Sequence, residues 1–371
     1  APTRLIEWAP GGRLYVAGYG QAGGNEILQL VPPLTLQLKE AQVGTEGAPA
    51  GFGGWHGHPG LGALPALGRG AGQTPVSGFC LCSLLVTSGP PDASLQLWQL
   101  APQGSDLIQA VGTIAAADGT GQAWARLSTS ASRGAQVLHG TRLSCVQLTE
   151  VESSKVLYRA GCASCALLSG LAFLDPCSLL LCGTGGQLCL ADTRQPPCPL
   201  QPLAPPWLCP GLRWSLAVRG EAVGSSWHCQ PLALLSSRGH LALADLRKTS
   251  EPLALVRCKV PSASPDEELL CASWAPALEG CLAVSGFDGT VHIYSSQGWH
   301  SRQGWHSRQG WHSSAAEAEP IFTHQGHLFG GPPGTAAPAL VTTHSWHPQQ
   351  PRTLLSADTS GALHAWHWLQ P

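Results

Sequence analysis

Cys271-Ala-Ser-Trp274-Ala-Pro276, then Cys281-Leu-Ala-Val-Ser285-Gly286-Phe287-Asp288-Gly289, then Thr290-Val291-His292-Ile293-Tyr294 reads as three short strands in a row. The first is apolar and ends in an aromatic and a proline, which cannot extend a central ladder. The second is a nearly unbroken apolar run, the pattern of a strand covered on both faces. The turn with Gly286, Asp288 and Gly289 reverses the chain. In the third, large apolar side chains recur at every second position, which places them on one face.

The same grammar returns along the chain. Near the C-terminus it is Thr343-His-Ser-Trp346-His-Pro348, Thr353-Leu-Leu-Ser-Ala-Asp358-Thr-Ser-Gly361 and Ala362-Leu-His-Ala-Trp366. At the N-terminus it is Leu5-Ile-Glu-Trp8-Ala-Pro10 and Leu14-Tyr-Val-Ala-Gly18, and in the middle Leu171-Ala-Phe173-Leu-Asp-Pro176 to Asp192. Partial copies run from Leu84 to Trp98, Val137 to Val146 and Leu232 to Asp245. Strand ends are expected at Trp98, Val146, Ala191, Ala244, Tyr294 and Trp366, and most of the intervals fit one WD repeat of about 40–45 residues plus loops. No sustained helical stripe occurs, and Gly or Pro interrupts nearly every longer window. The expectation is an all-β chain: a single seven-bladed WD-repeat β-propeller over residues 1–371, closed without long exposed edges. The chain contains no Met and starts within the repeat, so the N-terminal blade is expected to be truncated.

Composition narrows the function. Charged residues make up 11 % of the chain and the formal net charge is −2, so no global field draws it to nucleic acid or an anionic surface. No run of 18 apolar residues marks a membrane span. The 14 cysteines are scattered through apolar strand-like runs and read as reduced thiols in a cytoplasmic protein.

Three segments break the rhythm: about 40–78, rich in Gly, Ala and Pro; 195–210, a Pro-rich extended connector; and 296–319, which holds a tandem Gln-Gly-Trp-His-Ser-Arg array. The array reads as an inserted loop between the last two blades. As a partner-binding candidate it offers Trp299, Arg302, Trp305, Arg308 and Trp311, the residue types that anchor interfaces. Its His300, His306 and His312 raise a transition-metal alternative.

Catalytic and cofactor motifs are missing from the sequence. There is no nucleophile elbow, P-loop or zinc-protease motif. Cys162-Ala-Ser-Cys165 has zinc-ligand spacing but lacks a second pair. Ser, His and Asp residues are present without a spacing that implies contact. His139 and His240 read as internal hydrogen-bond partners, and Asp192, Asp245 and Asp288 as turn or strand-end residues. No catalytic residue, cofactor or metal is expected.

Phe322-Thr-His-Gln-Gly-His327 and Leu340-Val-Thr-Thr-His-Ser-Trp-His-Pro348 go beyond the general repeat. Together with Asn25-Glu-Ile-Leu28, Leu85-Val-Thr-Ser-Gly89, Leu95-Gln-Leu-Trp98, Val137-Leu-His-Gly140 and Ser285-Gly-Phe-Asp-Gly-Thr-Val291, they resemble the WD repeat-containing protein 73 family over nearly the whole chain. Residues 44–78 and the array depart from that family. The resemblance implies a cytoplasmic scaffold that assembles the RNA endonuclease module of the Integrator complex by binding its subunits. It also implies a link to spindle poles, the cleavage furrow and microtubule-associated proteins in division. The rival readings are a propeller enzyme with a central-channel site, which needs polar groups converging on the axis, and a nucleic-acid adaptor, which needs a basic patch.

Overall fold

The computed structural model describes residues 3–9, 12–20, 24–30, 64–66, 77–81, 84–89, 93–100, 108–116, 124–129, 135–196, 200, 202–203, 205–219, 232–260, 267–299, 316–329 and 339–369. The strands among them fall into seven sheets, and no α-helix occurs among the described residues. The first sheet is Thr3–Ala9, Arg13–Gly20, Gly24–Leu30 and Leu64–Ala66. The second is Ser77–Leu81, Leu84–Ser88, Leu95–Leu100 and Ile108–Ile114; the third is Arg126–Thr129, Gln136–Gly140, Val146–Glu150 and Val156–Ala160. The fourth is Leu168–Phe173, Ser178–Gly183 and Leu188–Asp192. The fifth is Trp214–Ala217, Leu232–Ser236, His240–Ala244 and Ala254–Cys258, extended in parallel by Ala316–Ala318. The sixth is Cys271–Trp274, Cys281–Ser285, Val291–Ser295 and Phe322–His324, and the seventh is Val341–Trp346, Thr353–Asp358 and Leu363–His367.

The leading strand of each sheet lies beside the leading strands of the sheets before and after it, and the strand at Thr3–Ala9 neighbours Val341–Trp346, so the circuit closes. This is the architecture of a WD-repeat propeller. Its core is a set of interfaces between consecutive sheets. In Ser178–Gly183, Leu179 and Leu181 pack with Leu138 and Leu148 of the third sheet, while Leu180 and Cys182 pack with Leu234 and Ala242 of the fifth. All of these are fully or almost fully buried. One strand with period 2 thus serves two interfaces, which is why its sequence is apolar without alternation. The last interface joins Leu355 and Ala357 to Ile6, Leu14 and Val16.

Two of the tryptophans that stand before a proline, Trp274 and Trp346, have a second function. Trp274 Nε1 donates to Ala217 O on the preceding leading strand (3.3 Å), and Trp346 Nε1 donates to Ser273 Oγ (2.9 Å). Each indole fastens its sheet to the one before it while burying its rings.

Several expectations need adjustment. The strand end expected at Val146 is a strand start, Val146–Glu150, because Thr141 and Cys145 form the reversal. The third strand of the sixth sheet does not alternate in burial: Val291, His292, Ile293 and Tyr294 are all buried, since neighbouring sheets cover both faces. The sheet beginning at Thr3 has four strands, and the three-stranded ones are the fourth and the seventh. Leu64–Ala66 and Ser77–Leu81 place strands inside and at the border of the 40–78 stretch, whose remainder lies outside the described residues. In the 195–210 stretch, isolated bridges join Leu200 to Cys162 and Leu203 to Leu188 of the fourth sheet, and the chain then turns at Pro205 to Leu208, where an extended connector was expected. The stretch buries Trp207, whose Nε1 donates to Thr249 O.

Gly286 is the tightest point of the sixth sheet. Its φ is +98°, and a Cβ there would run into the backbone of Leu269 and Leu270. Gly286→Ala is expected to cost about 3 kcal/mol or more in chemical denaturation. Gly12→Ala, also at positive φ but facing open space, is expected to cost only about 1 kcal/mol.

Candidate functional site

The densest polar cluster sits where the sixth sheet passes into the seventh. His327 lies in the short 3-10 turn Gly326–Phe329 and is fully buried. Its Nδ1 is 2.8 Å from Asp358 Oδ2 and its Nε2 is 2.8 Å from Ser356 Oγ. Trp366 Nε1 donates to Ser356 Oγ at 3.0 Å. The carboxylate only accepts, so Nδ1–H donates to it. Burial alone would raise the Asp358 carboxyl, but hydrogen bonds from His327 and Ser360 outweigh it and hold the group below the usual carboxylate range.

Aspartate, histidine and serine in this order form the constellation of a hydrolase triad. Here Ser356 and Asp358 are as buried as His327, and the serine oxygen is engaged by both Trp366 and His327. No substrate carbonyl reaches it. The cluster locks the turn between sheets to the central and outer strands of the seventh.

A second network crosses the same boundary. His344 Nε2 is 2.7 Å from Ser273 Oγ and its Nδ1 is 2.8 Å from Ser285 Oγ, with burial pushing its pKa down to about 4. His139, buried in the third sheet, is 2.9 Å from Thr149 Oγ1 and is likewise held at about 4. Asp192 and Asp245 pair with Arg194 and Arg247 two residues on, and Asp288 accepts from the Thr290 backbone N–H, so all three are strand-end or turn residues.

His324 and His364 complete the cluster. His324 Nε2 is 3.3 Å from His364 Nδ1. His324 stacks on Trp366 at 4.5 Å and 4°, and His364 on His327 at 3.9 Å and 8°. Burial lowers His324 to about 3 and His364 to about 4. Sequence spacing could not reveal this group, because its members stand 3 to 40 residues apart; only the pairing of sheets six and seven brings them together.

The array enters differently from the expectation. It lies between the third and fourth strands of the sixth sheet, not between the last two blades, because Phe322–His324 pairs with Val291–Ser295. Its end docks on the fifth sheet through Ala316–Ala318, beside the exposed ion pair Lys259–Glu319 (2.9 Å). Trp299 is half-buried against Tyr294, with ring centroids 6.3 Å apart, at the edge of the core shared by sheets five and six. Arg302, Trp305, Arg308, Trp311, His300, His306 and His312 lie outside the described residues.

The Cys-x-x-Cys pair is split by burial. Cys162 is buried with its Sγ 3.5 Å from Cys189 Sγ, and Cys165 is exposed. Among the described residues, the group whose ligand atoms lie close enough to share a metal is His324, His327 and His364. Two ionisable side chains, Glu7 and Arg126, stand on leading strands. Burial raises the Glu7 carboxyl to about 8, and it lowers the Arg126 guanidinium with Arg213 alongside.

Burial of neutral imidazoles gives the fold a pH dependence. The folded values of His139 and His344 lie near 4, below the ordinary 6.5. Between those values the unfolded chain takes up protons that the folded chain refuses. Stability present above pH 6.5 is therefore lost as pH falls toward 4, by up to ~3 kcal/mol per ring. A denaturation midpoint that stays flat over this window contradicts the assignment. Ser356→Ala, which strips His327 and Trp366 of a shared partner inside the core, is expected to cost about 2–3 kcal/mol by the same measurement.

No family model matches the chain. It is 39 % identical over 372 residues to Integrator complex assembly factor WDR73 of Mus musculus, covering 99 % of this chain and 92 % of that protein. The protein of the same name from Homo sapiens is 39 % identical over 377 residues and that from Danio rerio 36 % over 374, again across 99 % of this chain and 92 % and 91 % of theirs. Identity of this extent, on a propeller whose seams are built from the motifs the sequence repeats, shows that the chain belongs to the WDR73 family.

Proposed function

We propose that this chain is a non-catalytic scaffold that assists assembly of the Integrator complex by holding subunits of that complex. The observation that carries the reading is identity of 34–39 % over 99 % of the chain with four proteins named Integrator complex assembly factor WDR73. The geometry supports it. The triad-like group is sealed inside the fold, and a rigid ring of sheets presents loops at both ends for partner contact. The subunits held are those of the RNA endonuclease module, and the work takes place in the cytoplasm. The link to spindle poles and microtubule-associated proteins rests on the sequence resemblance alone.

Affinity purification of the tagged full chain from cytosolic extract, followed by quantitative mass spectrometry, tests the reading. Integrator subunits are expected at near-stoichiometric recovery, and none above background would overturn it. Replacing 300–315 with a Gly/Ser linker of equal length is expected to lower recovery tenfold or more, since loss of aromatic and Arg anchors costs about 2 kcal/mol or more each at an interface. Unchanged recovery removes the array from the contact surface.

A further inference from the structure

We propose that His324 and His364 are the protein ligands of a binding site for a borderline transition-metal dication of the zinc class, held by His324 Nε2 and His364 Nδ1. The two nitrogens face each other at 3.3 Å. Two imidazole nitrogens at ordinary zinc distances on a tetrahedral ion stand about 3.3 Å apart, so the pair is already at ligand spacing.

The orientations are fixed before any ion arrives. Trp366 lies flat against His324, and His327 lies flat against His364. His327 belongs to the same group of ligand atoms within 4.8 Å. Its own nitrogens are committed to Asp358 and Ser356, so it positions His364 and does not ligate. This is the supporting role that groups behind metal ligands commonly play.

Gly326 stands at the meeting point. A Cβ at 326 would come within 2.8 Å of both His324 Nε2 and His364 Nδ1. Any larger residue would crowd the space in which the two nitrogens converge, and glycine leaves it open. His364 is only partly buried; the remaining coordination positions would be taken by water or by a side chain of a bound partner. The site lies outside the array and needs none of its imidazoles.

The competing description is a hydrogen-bonded imidazole pair, in which one ring donates N–H to the other at the same distance. Metal titration separates the two. The full chain, freed of metal with chelator, is titrated with Co2+ while visible absorption is recorded, and Zn2+ is then used to displace it. Isothermal titration gives the Zn2+ stoichiometry. One Zn2+ per chain is expected, retained when His300, His306 and His312 are all changed to Gln, and weakened at least tenfold in His324→Gln and in His364→Gln. Zn2+ is expected to raise the Tm of the parent chain but not that of His364→Gln. His364 is the more exposed of the two, so His364→Gln carries the test should His324→Gln fail to fold, as judged by circular dichroism. No saturable binding, binding that survives in folded His364→Gln, or binding that disappears only with the array substitutions would each overturn the site and leave a hydrogen-bonded pair.

Discussion

The structure depends on one constraint: a central strand must be apolar on both faces, because each face belongs to a different inter-sheet interface. Leu179 and Leu181 look one way and Leu180 and Cys182 the other. Neither interface forms unless a sheet stands on each side. A sheet of three or four short strands cannot cover itself, so the fold gains its burial only as a set of stacked neighbours. This also explains why the contact between Leu355, Ala357 and Ile6, Leu14, Val16 matters. It covers what would otherwise be the open faces of the first and last sheets.

Polar groups then fix which neighbour fits where. Apolar packing is non-directional, and seven sheets of similar composition could pack in several relative placements. The indoles of Trp274 and Trp346 reach the preceding leading strand at one height only. His344 joins two serines of the sixth sheet. His327 joins the entry turn to Ser356 and Asp358. Buried polar groups of this kind cost free energy if unpaired, so they select the register in which all are paired.

These same networks hold a triad-like geometry enclosed within the fold. Histidine between a carboxylate and a hydroxyl is a stable arrangement wherever the carboxylate sets the tautomer. Access decides the rest, and here the serine is enclosed and engaged by an indole. The fold has therefore used hydrolase-like residues as a clamp. Next to it, His324 and His364 sit at the edge of the clamp with one ring partly open to solvent, the place where a structural network borders on chemistry.

Strand content, the repeat and the two-faced central strands were legible in the sequence, because period-2 patterning and Gly-Asp turns are local. Asp192, Asp245 and Asp288 were legible as strand-end and turn residues for the same reason. The histidine cluster was not: His327 and Asp358 are 31 residues apart and His324 and His364 are 40 apart. Nothing local distinguishes them from other polar residues near turns. The array illustrates the same limit from the other side, since its sequence marks an insertion but its stems take their places through pairing with two different sheets. The amino-acid order alone determined what each segment would become. Only the closing of neighbouring sheets on one another decided which side chains would meet, since contacts between sheets are set by long-range packing that no local pattern encodes.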